Sequence, residues 1–302
     1  MSEIELAFIG GSGLYKIPNL KKIKWKTVKT SFGKPSWKVC LGSLNGKSIA
    51  FLPRHGINHN ISPSEINYRA NIECLKKLGV QNIISLSAVG SLREDYKPGD
   101  FVVVDQFIDN TYLRKKTFFD DDCISHVSMS SPVCENLRKI SLSNLKKLKL
   151  SFHSNGTYIC IEGPQFSSLA ESNLFRSWGC DVIGMTNMPE AKLAREAGIC
   201  YAAISMVTDF DCWHPQHDSV TVDQIVTTMN QNSNNAFKLI EEFSKIKKIS
   251  CDEKIKKLSK NSLITRIEKI EKTTKKKLKF IFNDLWELKI KNFLQFGLII
   301  GK

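Results

Sequence analysis

Short apolar runs alternate with amphipathic stretches along the first 244 residues, the pattern of an α/β domain. Residues 5–9 read as a strand that runs into Gly10-Gly11-Ser12-Gly13. Residues 39–41 and 48–52 read as the arms of a hairpin, and Asn45-Gly46 fits its type I′ turn because both positions tolerate positive φ. Residues 82–87, 100–105, 157–161, 182–185 and 201–207 are further short apolar strands. A helix is expected to begin at Ser62-Pro63-Ser64-Glu65, capped by a serine, and to end at Gly79. Ile66, Ala70, Leu75 and Leu78 would line its buried face. A second helix runs from Pro189 to Gly198, and a long one covers residues 221–243.

Beyond residue 244 the pattern changes. Residues 245–279 are Lys-rich with Ile and Leu at helical spacing, and residues 285–300 are apolar enough to pack on something. The expected division is a catalytic domain over residues 1–244 and a helical, Lys-rich C-terminal extension over residues 245–302. The charge follows this division. The net charge is +14, but residues 245–302 hold 17 basic and 6 acidic residues, leaving 27 and 24 for the rest. A nucleic-acid surface spread over the whole fold is therefore a poor explanation of the basic balance. Nine scattered cysteines without a Cys-x-x-Cys pair argue against a disulfide framework or a zinc site. They read as small buried hydrophobes in a reducing compartment. No apolar run is long enough to span a membrane, and the first residues lack the marks of a secretory signal, so a cytoplasmic location is expected.

Several strand ends carry candidate chemistry. Gly10-Gly11-Ser12-Gly13 could turn backbone N–H groups toward an anion, or be an ordinary turn. Arg54-His55 could bind phosphate through a bidentate guanidinium, or be a surface arginine beside a satisfied loop histidine. Ser87-Ala88 and Thr186 add small or hydroxyl residues after two further strands, as expected for one anion site at the carboxyl edge of a sheet. Asp209 and Asp211 lie two apart after a strand. Like charges in one pocket would raise the pKa of one of them and make it a proton donor; the bland alternative is a solvated or capping pair. Phe166, in Glu162-Gly163-Pro164-Gln165-Phe166, could stack on a flat base or anchor the core.

Taken in order, these segments resemble the methylthioadenosine phosphorylase branch of the trimeric purine nucleoside phosphorylase family. The matching runs include Ile9-Gly10-Gly11-Ser12-Gly13, Arg54-His55-Gly56, Gly90-Ser91-Leu92-Arg93-Glu94 and Pro98-Gly99-Asp100. They continue with Glu162-Gly163-Pro164-Gln165-Phe166-Ser167-Ser168, Gly184-Met185-Thr186 with Pro189-Glu190, and Thr208-Asp209-Phe210-Asp211-Cys212-Trp213.

The resemblance implies a three-layer α/β sandwich around a twisted mixed β-sheet, assembled as a homotrimer. It implies phosphate held by Ser12, Arg54, His55, Ser87, Ala88 and Thr186. Met185 would lie under the ribose and Phe166 near the purine, with Asp209 and Asp211 at its N7 and 6-amino edge. Asp209 would be the catalytic acid. Ser167, Val222 and His126 would set specificity, His126 from a neighbouring subunit. The implied activity is a pentosyl transfer from 5′-methylthioadenosine to inorganic phosphate, which is a co-substrate, with no metal or organic cofactor. Two rival readings stay in view. One is the same chemistry on methylthioinosine or a 6-oxopurine nucleoside. The other is nucleic-acid binding through the basic tail.

Overall fold

The computed structural model describes residues 4–11, 14, 16–215 and 222–282, apart from the side chains of residues 222–226, 259 and 260. Eleven strands form one mixed sheet: β1 (Leu6–Gly10), β2 (Lys21–Lys26), β3 (Val39–Leu44), β4 (Lys47–Pro53), β5 (Asn82–Ser91), β6 (Phe101–Val103), β7 (Gln106–Asn110), β8 (Phe152–His153), β9 (Thr157–Ile161), β10 (Val182–Gly184) and β11 (Cys200–Asp209). The helices are α1 (Tyr68–Lys77), α2 (Glu135–Lys147), α3 (Leu169–Ser177), α4 (Asn187–Glu196), α5 (Val222–Lys245), α6 (Glu253–Asn261) and α7 (Lys272–Lys277).

Period-two alternation sorts the strand residues into two cores. On β1, Leu6 and Phe8 face one side, under α2 and α5, while Ala7 and Ile9 face the other, under α1 and α4. The sheet is thus the middle of three layers, the sandwich expected from the sequence. A smaller cluster packs Phe175 of α3 on Ile159 and Ile183.

β5 is the branch point of the sheet. β1 runs parallel to its first half, pairing Leu6–Gly10 with Asn82–Leu86. β10 meets the far end of the same edge in antiparallel fashion, at Gly90 and Ser91. β11 runs along the opposite edge from Asn82 to Gly90. Ser87, Ala88 and Val89 therefore have a strand partner on the β11 side only. The other edge of β5 opens there into a notch whose backbone groups are not used by the ladder.

The hairpin turn is as expected, with φ of 49° at Asn45 and 80° at Gly46. The first helix is not. It starts at Tyr68, where the Asn67 side chain accepts a hydrogen bond from the Ala70 N–H. Ser62 instead closes a turn with Glu65, donating its hydroxyl to the carboxylate at 2.7 Å. The serines carry the local signature of a cap, and a local turn uses it first. β2, β7, β8, α2 and α3 are not among the expected elements.

The Lys-rich segment packs on both sides of the sheet as far as it is described. Ile249, Cys251 and Ile255 enter one core, and Ile270, Leu278, Ile281 and Phe282 the other. It also grips the loop around residues 120–126. The His126 N–H donates to Ser262 O at 2.9 Å, the Ile264 N–H donates to Ile124 O at 2.9 Å, and Lys277 pairs with Asp120 and Asp121. The expectation of unpaired cysteines needs one correction. Cys200, at the start of β11, forms a disulfide with Cys251, 51 residues away in sequence, so spacing gave no hint of it. The seven others are free, six of them buried. Among the described residues no helix is long and apolar enough to cross a membrane.

Candidate active site

The carboxyl ends of β1, β4, β10 and β11 and the notch of β5 surround one cavity of about 620 Å³. Arg54, His55, Ser87, Ala88, Thr186, Met185, Phe166, Ser167, Asp209 and Asp211 all line it. Residues up to 157 positions apart in the chain thus meet around one space, and the notch supplies its floor.

Arg54 follows β4 and is buried. Its guanidinium is almost fully used within the protein. Nε and Nη2 donate to the Glu190 carboxylate at 2.8 and 3.1 Å, Nη2 also to Ser85 Oγ at 2.6 Å, and Nη1 to Leu86 O at 3.3 Å. Of five N–H groups, one remains to face the cavity. A bidentate grip on phosphate, expected from the sequence, is therefore corrected to a single N–H and a buried positive charge. Burial works to lower the Arg54 pKa, but the Glu190 carboxylate outweighs it, and the cation is held. Removing one member of such a pair leaves an uncompensated buried charge.

His55 directs Nδ1 at Ile61 O, 2.9 Å away, so that nitrogen carries the proton. Burial and the Arg54 charge push its pKa down to about 4, which keeps the ring neutral. Ser87 donates its hydroxyl to Asn187 Oδ1 at 3.3 Å, while Ala88 is exposed toward the notch. Thr186 caps α4 without a side-chain capping bond, so its hydroxyl is not committed to the helix end.

At the other side, Asp209 ends β11. Its Oδ1 accepts the Thr208 hydroxyl at 2.6 Å and its Oδ2 accepts the Asp211 N–H at 3.0 Å. Burial raises its pKa, and the Asp211 charge adds only a minor part. Burial is thus the main cause, which corrects the expectation that the like-charge pair would be. Asp211 is also raised by burial. Asp211 Oδ2 and Ser167 Oγ are buried and have no hydrogen-bond partner among the described residues, which leaves two polar atoms at the cavity wall for something else to satisfy. Gly90 stands against this corner. A Cβ there would lie 3.1 Å from Asp209 Oδ2.

Phe166 is 64% exposed and available as a stacking face rather than a core anchor. Met185 is clasped by Gly163, whose φ is +66° and where a Cβ would sit 2.5 Å from the Met185 sulfur. His126 is exposed and does not line the cavity of its own chain. Ser12 and the Val222 side chain lie outside the described residues. Sequence reasoning missed His59, which stacks on His55 at 4.3 Å, and the apolar wall of Ile61, Met206 and Met229. His59 is only four residues from His55 and could have been noticed; the methionines carry no local signal. Glu190 was seen in the motif but without its role. Among the described residues no group of three His, Cys, Asp or Glu is placed to hold a metal ion.

A mixed-sheet sandwich whose strand ends bring Arg54, Ser87 and Thr186 opposite the buried carboxyls of Asp209 and Asp211 across one cavity has the architecture of a nucleoside phosphorylase. The chain belongs to the phosphorylase superfamily, whose family model matches residues 5–245. It is similar to the S-methyl-5′-thioadenosine phosphorylase of Koribacter versatilis, with 47% identity over 92% of this chain and 96% of that protein. It is 54% identical to the one from Rhodospirillum rubrum over 78% of this chain and 80% of that one. The crystal structure of a methylthioadenosine phosphorylase from an antarctic soil metagenomic library superposes with a TM-score of 0.87 at 43% identity, covering 93% of this chain and all of that one. The alignments covering 92% and 93% of this chain must run past residue 245, so part of the Lys-rich segment has counterparts too.

Proposed function

We propose that this protein splits 5′-methylthioadenosine with inorganic phosphate, giving adenine and 5-methylthioribose 1-phosphate. The observation that carries the reading is the shared cavity. The β5 notch with Arg54 and Thr186 lies on one wall, Asp209 and Asp211 on another, and Met185 lines the same space. Phosphate sits in the notch, held by the free Arg54 N–H, by the hydroxyls of Ser12, Ser87 and Thr186, and by backbone N–H groups at Ala88. Neutral His55 accepts a hydrogen bond at Nε2 from a protonated phosphate oxygen. The ribose lies on Met185, and the purine lies near Phe166 with its N7 and 6-amino edge toward Asp209 and Asp211.

The C1′–N9 bond stretches first, leaving an oxocarbenium-like sugar. The electron pair goes to the purine, and a phosphate oxygen forms the new bond at C1′. Holding the nucleophile ready removes most of the entropic cost of encounter. The buried Arg54 charge is aimed at the anion in a site that needs no rearrangement. Asp209 gives its proton to N7 of the departing base, a general-acid role worth about 10²–10⁴ in rate. An ionised Asp211 can only accept, which suits the 6-amino group of adenine. Phosphate is the co-substrate, and no metal or organic cofactor enters this scheme.

The working unit is a homotrimer in the cytoplasm. Residues 1–244 form the catalytic unit, and the Lys-rich segment from residue 245 braces it. His126 of a neighbouring subunit, Ser167 and Val222 face the 5′ substituent. The relatives support methylthioadenosine as substrate, and neither a 6-oxopurine nucleoside nor nucleic acid gains such support. The test is to mix pure protein with methylthioadenosine, with and without phosphate. Adenine should appear only with phosphate; no adenine in either case would overturn the proposal.

A further inference from the structure

We infer that Arg114, together with Glu162, is the positioning unit of the ribose platform: it fixes Met185 and Thr186 without touching the substrate. The inference rests on the phosphorolysis reading and deepens it by naming what holds the sugar end of the site in register.

The Arg114 side chain is 1% exposed. Its Nε donates to Glu162 Oε1 at 2.9 Å. Nη1 donates to the carbonyls of Met185 and Met188, both at 2.6 Å, and Nη2 to those of Glu162 at 2.8 Å and Ile161 at 3.3 Å. Nη1 also has the Tyr68 hydroxyl at 3.1 Å and Cys160 Sγ at 3.8 Å, so five N–H groups meet seven acceptors and no donor is left for a ligand. The carbonyls it takes stand where the chain leaves regular structure. β9 ends at Ile161, β10 ends at Gly184, and Met188 and Pro189 have non-helical φ/ψ at the start of α4. One guanidinium thus ties the end of β9 to the segment that carries Met185 and Thr186. The Tyr68 ring lies under it, 5.5 Å from the guanidinium carbon.

Glu162 closes the unit. It accepts the N–H groups of Tyr112 and Leu113 at 2.6 and 3.0 Å, and the Ser64 hydroxyl as well. Burial works to raise its pKa, but these three donors and Arg114 hold it down at about 2. Gly163, the next residue, packs against the Met185 sulfur. The platform is therefore held twice, through the Met185 carbonyl by Arg114 and through its sulfur by Gly163. Asp209 and Asp211 have no hydrogen bond to this unit among the described residues. Loss of Arg114 should consequently disturb the sugar and phosphate end and leave the Asp209 and Asp211 carboxyls at the purine edge in place. Lysine cannot substitute, because three ammonium donors on a point charge cannot serve the acceptors that the planar guanidinium reaches.

The test uses the full chain with Arg114→Lys and the near-isosteric Glu162→Gln. It reads kcat and KM for methylthioadenosine and phosphate, adenine and phosphate affinity by calorimetry, and folding by circular dichroism. Arg114→Lys should lower kcat/KM about 100-fold, the scale of an ångström of misplacement. Glu162→Gln should lower it about tenfold, as for one charge-assisted hydrogen bond weakened. Phosphate affinity should fall in both, with adenine affinity within threefold of the parent. A folded Arg114→Lys with kcat/KM within threefold of the parent would overturn the inference. So would adenine affinity falling in step with kcat/KM, which is what a general loss of structure does. If Arg114→Lys does not fold, Glu162→Gln decides by the same criteria. If the parent itself does not turn over methylthioadenosine, the phosphorolysis reading fails, and the ratio of phosphate to adenine affinity in the variants still decides on Arg114.

Discussion

The cavity and the Lys-rich segment both rely on positive charge, and they use it in different ways. Arg54 and Arg114 are buried, each paired with one carboxylate and several other oxygens, so their position is set to within a hydrogen bond. Lys277 is 30% exposed and reaches two aspartates on a loop, Asp120 and Asp121, in water. The dry arginines are expensive to isolate and therefore geometrically exact tools. The wet lysine adds little energy, and the hydrophobic contacts of Ile270, Leu278, Ile281 and Phe282 carry the docking of that segment. The number of charges in a region says little about what they do; their burial and partners say more.

That contrast can be broken by experiment, beginning with the largest effect. Arg54→Met leaves Glu190 charged and buried, and should cost about 3–5 kcal/mol in denaturant unfolding together with a steep rise in the phosphate KM. A loss under 1 kcal/mol would place Arg54 in the same class as the lysines. Asp209→Asn keeps the shape but removes the proton; kcat should fall about 10²–10⁴ and the ratio of 6-oxopurine to 6-aminopurine turnover should rise. Because burial raises the Asp209 pKa, kcat of the parent should decline as pH rises through that value, and the decline should vanish in the variant.

A smaller effect concerns His55. Its folded pKa of about 4 lies below the ordinary 6.5, so the unfolded chain binds the proton more readily. Its effect on stability is nil above pH 6.5, and stability is lost as pH falls toward 4, by an amount on the order of 2–3 kcal/mol. In His55→Gln the unfolding free energy should fall less steeply between pH 6.5 and 4; an unchanged slope would show the ring is not the cause. Lys277→Ala should change stability by about 1 kcal/mol or less, less still at high salt, with kcat within twofold of the parent. A larger cost than that of Arg54→Met would invert the comparison.

Local signals were legible in the chain. Asn45-Gly46 carries its own turn, and the apolar periods of β1, β9 and β11 place them within a residue or two. The site residues are legible as a set of motifs at strand ends, and those described line one cavity apart from His126. What was not legible depends on distant pairing. The notch at Ser87–Val89 exists because β1 stops and β10 begins along the same edge of β5, which no window of sequence contains. Arg54 gives two of its donors to Glu190, 136 residues away, and two more to Ser85 and Leu86, and so does not grip an anion with both arms. β2, with Lys on both faces, buries too little to announce itself as a strand, though charged residues suit an edge strand.

The central claim is that phosphate held in the β5 notch, and not water, attacks the sugar while Asp209 serves the base. Phosphorus NMR of the pure protein turning over methylthioadenosine in phosphate buffer tests this directly. One sugar 1-phosphate should appear for each adenine released. Adenine accompanied by free methylthioribose, with the phosphate signal unchanged, would contradict it.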